Sequence, residues 1–282
     1  MKRLEVLKTY KLFINGEFPR TESGRYLQLK NKSGKLIANI SSASRKDFRN
    51  SVVAARNAFD NWSNRTPFNR GQIIYRIAEM LEGRKSQFVE EIMSLGISKH
   101  TALKEIDNAI DFTIYIAGWC DKYQQIISSV NPVSTSHFNF SFAEPMGVVG
   151  IISDNNSPFG FLRLMLSVIA GGNCAIVVAN EKYPNVAISF SEVLQTSDLP
   201  KGVVNILTAK KNELPQHIAT HLDVNAIVIA TNNDKELSEI KRSSSVNVKR
   251  VISVSETELN ILSPDLILST QEIKTTWHPI GI

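Results

Sequence analysis

Side chains that could act as a covalent nucleophile are scarce in this sequence. The chain has two cysteines, Cys120 and Cys174, and a cysteine thiolate is the most nucleophilic side chain near neutral pH. Cys120 falls on a predicted helix and Cys174 in a predicted buried strand. Because a buried cysteine usually behaves as a small apolar residue, the sequence identifies no nucleophile.

Histidines could bind a metal ion, and two of them share a predicted helix. His217 and His221 stand four residues apart, but the segment between them lacks the glutamate of a zinc protease motif. Without further ligands, a pair of surface histidines is much more common than a metal site. We therefore predict that the chain holds no metal ion.

Five short runs rich in β-branched residues are the elements that would position a site. Helical segments separate them, which predicts buried parallel strands in a doubly wound α/β sheet. A polar turn at residues 154–158 follows the first run and leads into a helix, as at the start of a nucleotide-binding domain. The five runs are residues 148–153, 174–178, 203–207, 226–230 and 248–254.

The first half of the chain combines short strands with amphipathic helices. Residues 137–142 alternate with period two and place aromatic rings on one face, which predicts a strand arm whose aromatic face must be covered. Residues 260–282 are too short for a domain and predict a tail packed on the sheet. We divide the chain into a helical region with peripheral strands and the arm, 1–145, and a Rossmann-like domain, 146–282.

Composition limits the possible functions. The hydrophobic share of 43% and the charged share of 21% are typical of a soluble globular protein. The net charge is +5, and the densest basic stretch, 241–250, has no interleaved aromatic residues, which disfavours nucleic-acid binding. Residues 1–16 lack the apolar core of a signal peptide, and no run reaches the ~20 apolar residues of a membrane span. The sequence predicts a cytoplasmic protein that binds neither nucleic acid nor membrane.

Several segments, taken together and in order, resemble the aldehyde dehydrogenase superfamily. Residues 180–184, 195–200 and 274–281 are similar to the degenerate second module of tandem aldehyde dehydrogenases. That version of the pattern implies that the catalytic cysteine domain is absent and that the short chain is complete. The segments that carry the superfamily resemblance are 12–17, 54–62, 115–122, 144–148 and 199–205.

The resemblance implies roles for three residues at the carboxyl ends of the strands. Asn156 matches the asparagine whose amide stabilises the oxyanion, although a simple polar helix entrance is the alternative interpretation. Contacts with the cofactor are implied for Ser153, Asn156 and Glu181. Of these, Glu181 matches the carboxylate that binds the adenosine ribose.

Other positions depart from the family pattern. Val254 stands where the general-base glutamate belongs, and Val178 replaces the lysine that also binds the ribose. The glycine-containing pyrophosphate loop is replaced by residues 231–236, in which Asp234 competes with an anion for the positive helix terminus. Binding of NAD or NADP is therefore expected to be weak or absent.

The sequence leaves three functions open. The first is a non-catalytic homologue that acts as an assembly or regulatory subunit, as a homo-oligomer or together with an aldehyde dehydrogenase-type subunit. The alternative is half of an NAD(P)-dependent aldehyde oxidoreductase, completed by a partner chain that carries the cysteine. A sensor of small ligands in the cleft is a third possibility that no residue singles out.

Overall fold

The fold is described from a computed structural model, which covers residues 6–154, 156–259 and 261–281. Three short strands come first and pair in the order β1-β3-β2. β2 and β3 are antiparallel and are joined by a turn at residues 32–35. The three strands are β1 (Thr9–Tyr10), β2 (Tyr26–Lys30) and β3 (Leu36–Ser41).

Five helices follow, and their apolar faces join the core of the molecule. The first of them begins at a capping box, in which the Ser44 hydroxyl accepts from the Asp47 N–H and the Asp47 carboxylate accepts from the Ser44 N–H. The helices are α1 (Arg45–Ser63), α2 (Pro67–Gly83), α3 (Lys85–Ser94), α4 (Lys99–Trp119) and α5 (Tyr123–Ile127).

The predicted arm starts with two antiparallel strands, β4 (Ser129–Asn131) and β5 (His137–Pro145). On one face of β5 the rings of Phe138, Phe140 and Phe142 follow one another, with centroid separations of 5.4 and 5.8 Å. Phe138 is 43% exposed. The aromatic face of the arm is therefore covered only in part.

Five parallel strands form the central sheet in the order β10-β9-β6-β7-β8, which confirms the predicted fold class. The last strand is shorter than predicted because Val248 has a φ of 53°, outside the conformations that a strand allows. The third begins one residue later than predicted. The strands are β6 (Val148–Ser153), β7 (Cys174–Val178), β8 (Val204–Leu207), β9 (Ala226–Ala230) and β10 (Arg250–Ser253).

Helices pack on this sheet, and α1 joins them from the N-terminal half by contacting β7 and β8. The buried Trp62 indole N–H of α1 donates to the Ile169 carbonyl at 3.0 Å. Among the described residues, no helix combines the length and apolar content that crossing a membrane requires. The remaining helices are α6 (Gly160–Ala170), α7 (Pro184–Gln195), α8 (Pro215–Thr220), α9 (Asp234–Ser245), α10 (Glu256–Leu259) and α11 (Asp265–Ser269).

A buried guanidinium connects the ends of two helices. Arg70 of α2 is 3% exposed, and its Nε donates to the Ala170 carbonyl at the end of α6 at 3.2 Å. Its Nη1 donates to the Arg65 carbonyl at 2.6 Å and to the Ser63 carbonyl at 3.4 Å, where α1 ends. The positive charge therefore lies at two helix C-termini, which the helix dipole favours.

The final strand, β11 (Gln271–Pro279), corrects the prediction that the tail packs on the central sheet. β11 pairs antiparallel with β5 along its whole length and completes a three-stranded arm. The buried Asn173 side chain holds the two ends of the intervening segment together. It accepts from the Gly147 N–H and donates to the Thr270 carbonyl, both at 2.9 Å.

Candidate functional site

The cleft at the carboxyl ends of the central strands is the place where an open α/β sheet binds ligands. All five strands are parallel, and the order of the chain across the sheet reverses between β6 and β9: β7 and β8 lie on one side of β6, and β9 and β10 lie on the other. Asp154 follows β6, and its N–H donates to the Ala230 carbonyl at the end of β9, at 2.9 Å. The carboxylates of Asp154, Glu181 and Glu236 come from the segments that follow three different strands.

Lys211 joins these carboxylates from the loop after β8. Its ammonium forms ion pairs with Asp154 and, at 3.4 Å, with Glu236, whose side chain is 10% exposed. Its backbone N–H donates to Glu181. The hydrogen bond to Asp154 and the nearby Glu236 raise the pKa of Lys211, so the ammonium stays charged. The acidic side chains around the cleft are thus bonded to a lysine of the chain itself.

The N-terminus of α9 borders the same cleft, and two of its N–H groups are bonded by a side chain of this chain. The Asn233 side chain accepts from the N–H groups of Lys235 and Glu236, at 3.1 and 3.3 Å. Asp234 and Glu236 add two negative charges to the first turn. This helix terminus therefore offers a pyrophosphate fewer N–H groups, and its two carboxylates oppose the positive field of the helix dipole. The residues present therefore do not fit a dinucleotide.

Asn156, the predicted oxyanion donor, has both ends of its side-chain amide engaged. Its Nδ2 donates to Glu256 at 2.9 Å, and its Oδ1 accepts from the Lys182 ammonium at 2.8 Å. The Asn156 backbone N–H also donates to Glu256, at 3.3 Å. The amide therefore bridges the Glu256 carboxylate and the Lys182 ammonium instead of pointing to an open reaction centre.

A small cavity beside Asn156 contains polar groups, and neither cysteine contributes to its lining. Its volume is about 240 Å³, and Glu105, Ser157, Arg163 and Glu256 contribute to its lining. The Ser157 hydroxyl donates to Glu105 at 2.6 Å. Burial lowers the pKa of Arg163, which nevertheless donates to the Leu259 carbonyl at 2.6 Å.

The other predicted site residues differ in how far they are exposed. Ser153 is buried at the end of β6, whereas Glu181 is exposed and accepts from the Lys211 backbone. Val254, at the position of the general base, is 8% exposed. A cofactor role for Ser153, Asn156 and Glu181 stays a prediction.

Both cysteines are buried, and burial raises the pKa of the Cys120 and Cys174 thiols to about 12. A thiol with this pKa carries almost no thiolate at neutral pH. The two side chains therefore act as core residues in the folded chain. Within the part of the chain that the structure describes, no group of three His, Cys, Asp or Glu side chains could hold a metal ion.

Lys211 and Lys182 are functional-site residues that the sequence interpretation missed. Each contacts a residue that is distant in sequence, Asp154 for Lys211 and Asn156 for Lys182. The sequence did carry one signal, because Asp154 stands where most members of the resembled superfamily have proline. A new carboxylate inside a cleft requires a compensating cation, which a search of the following loops could have sought.

Comparison with known proteins gives consistent similarities. The model of the aldehyde dehydrogenase family matches residues 19–257. Cytosolic 10-formyltetrahydrofolate dehydrogenase of Mus musculus is 30% identical over 89% of this chain and 29% of that protein. The mitochondrial 10-formyltetrahydrofolate dehydrogenase of Homo sapiens is 29% identical over 97% of this chain and 30% of that protein.

The structural comparison agrees. The NAD+ complex of aldehyde dehydrogenase from Bacillus cereus superposes with a TM-score of 0.83 and 26% identity, over 88% of this chain and 51% of that chain. The chain thus spans about half of that structure and less than a third of the two curated relatives. The family match covers most of the sequence, and the sheet order and the arm agree with the predicted fold. This chain belongs to the aldehyde dehydrogenase family.

Proposed function

We propose that this chain is a non-catalytic member of its family that acts as an assembly or regulatory subunit. In this proposal residues 1–145 form the helical region with an oligomerisation arm, and residues 146–282 form a vestigial dinucleotide-binding domain. The observation that carries the proposal is the ion network of Lys211 with Asp154 and Glu236 in the cleft. The cytosolic mouse relative supports a cytoplasmic location.

The exposed apolar residues of the chain support the assembly role. Val246 and Val248 follow α9 and are 87% and 93% exposed. The aromatic face of the arm, with Phe138 at its edge, is a second apolar surface. Apolar surface of this kind marks sites of protein association. A second copy of this chain or an aldehyde dehydrogenase-type subunit would cover it.

Titration with NAD+ and NADP+ tests the loss of the cofactor site. We expect no binding of either dinucleotide at concentrations up to about 1 mM, because the carboxylates around Lys211 repel a pyrophosphate. Calorimetry measures this directly, and the Bacillus cereus enzyme, which was solved with NAD+, serves as the positive control. Submillimolar binding would contradict a vestigial domain.

The alternative function is half of an aldehyde oxidoreductase that a cysteine-bearing partner completes. Asn156 and Glu181 favour it, because both keep the residue type that the family pattern requires. Dinucleotide binding, together with aldehyde oxidation in a complex purified from the native cell, would support this function. An Asn156→Ala variant of that complex would then lose most of its activity.

The strained residue Val248 allows the assembly role to be tested without damage to the fold. Its φ of 53° is unfavourable for a β-branched side chain but acceptable for asparagine. We expect Val248→Asn to stabilise the folded chain by about 1 kcal/mol. The same change should weaken self-association at least tenfold, since it removes an exposed apolar group.

Light scattering and denaturant unfolding measure the two effects on the same samples. Val53→Asn is the matched control, because Val53 is also exposed, at 55%, but lies on α1. Unchanged association of Val248→Asn, with the control also unchanged, would show that the end of α9 is not an interface.

A further inference from the structure

A groove between α1 and the end of α8 carries basic side chains that the proposed function does not use. Its volume is about 600 Å³. We call it the basic groove; the lining residues used below are Arg45, Arg49, His217, His221 and Leu222, and Lys46 and Asp223 also line it. It is separate from the residues around Lys211 in the cleft.

The positive charges of Arg45 and Arg49 do not stabilise α1. Arg45 and Arg49 are four residues apart on one helix, where like charges repel. Arg45 also lies in the first turn, where the helix dipole disfavours a cation. Among the described residues neither guanidinium has an ion-pair or hydrogen-bond partner, and both are exposed. Their charge is thus available to a ligand.

Nearby acidic residues leave most of this charge uncompensated. The Asp47 carboxylate points inward, where it accepts from the Thr21 hydroxyl at 2.7 Å and caps α1. Glu22 pairs with Lys46 at 2.9 Å. Asp223 supplies the one carboxylate among the residues lining the basic groove that the structure describes.

His221 lies near these positive charges and can donate a hydrogen bond. Its pKa is lowered by burial first, and Lys249, Arg45 and Arg56 lower it further against the opposing effect of Asp223. Its Nδ1 accepts from the Asp223 N–H at 3.2 Å, which places the proton of the neutral ring on Nε2. The edge-on contact of the ring with Phe48, with centroids 5.7 Å apart, fixes its orientation.

We propose that the basic groove binds the phosphoryl group of a small organic phosphate monoester. Two guanidinium forks match the several oxygens and double charge of a phosphate better than a single carboxylate, which offers two oxygens. The Nε2–H of His221 supplies a further donor. The volume of the groove exceeds a free phosphate, and the 80%-exposed Leu222 contacts the organic part of the ligand.

Calorimetric titration with phenyl phosphate tests this site, with benzoate and inorganic phosphate as comparison ligands. We expect phenyl phosphate to bind at least tenfold more tightly than either. Binding should shift the His221 ring resonances in NMR spectra. The double variant Arg45→Gln/Arg49→Gln should lose about tenfold in affinity per arginine.

Arg76→Gln is the matched control, because Arg76 is an exposed arginine on α2, away from the basic groove. The control should bind phenyl phosphate as the wild type does, and the double variant should unfold at or above the wild-type temperature because charge repulsion is removed. Absence of binding at millimolar phenyl phosphate, or equal binding by the double variant, overturns the proposal. It is also overturned if benzoate binds as tightly as phenyl phosphate.

Discussion

Replacing Arg70 with methionine is expected to lower the free energy of unfolding by about 3 kcal/mol or more. Methionine approximates the length of the side chain but donates no hydrogen bond. The buried Ala170 carbonyl would then lose this donor, and so would the part-buried carbonyls of Ser63 and Arg65. Each buried carbonyl without a partner costs about 1–3 kcal/mol. Denaturant unfolding followed by circular dichroism measures the change.

The matched control is Arg76→Met, on the same helix. Arg76 pairs with Glu79 on the surface at 2.7 Å. The stability of this variant should stay close to wild type, because exposed ion pairs contribute little. If Arg70→Met and Arg76→Met were equally stable, the buried guanidinium would not be joining α1 to α6.

Gly202→Ala is expected to cost more than 3 kcal/mol, or to prevent soluble expression. Gly202 has a φ of +85°, and a Cβ there would lie 2.5 Å from the Ala54 carbonyl oxygen and 3.0 Å from the Ala58 Cβ. Both neighbours belong to α1, so the helix would have to move away from the sheet. The Gly202 carbonyl also accepts from the Asn205 side chain at 2.8 Å.

A second glycine separates backbone strain from this clash. Gly34 has a φ of +80°, yet a Cβ there would meet no atom within 4 Å. Gly34→Ala should therefore cost only about 1 kcal/mol, the strain of a left-handed residue. Unfolding of the two variants under identical conditions gives the difference. Equal losses would mean that α1 adjusts to the added methyl group at no cost.

The fold was predictable from local patterns that burial imposes. A strand buried on both faces must be apolar throughout, and β6 and β7 are buried at every residue. The turn at residues 32–35 also has a local cause, because its glycine can adopt the φ of +80° that the turn requires. Patterns of this kind depend on neighbours in sequence and need no knowledge of tertiary contacts.

The site was less predictable because its contacts join distant segments. The departures at Val178 and Val254 could be read from the sequence, but the partner of Asp154 could not. Lys211 reaches Asp154 only because β8 and β6 belong to the same sheet. The tail was misjudged for a similar reason, since the register of β11 on β5 is set by tertiary structure.

The pairing of β11 with β5 is expected to form late in folding, after the central sheet. Everything between Pro145 and Gln271, including the central sheet, lies in a loop that this pairing closes. Long-range closure is slow unless the intervening chain has already become compact. On the ribosome, β11 also emerges after every strand of that sheet. A partner that bound the complete three-stranded arm would therefore bind only chains in which β11 has already paired with β5.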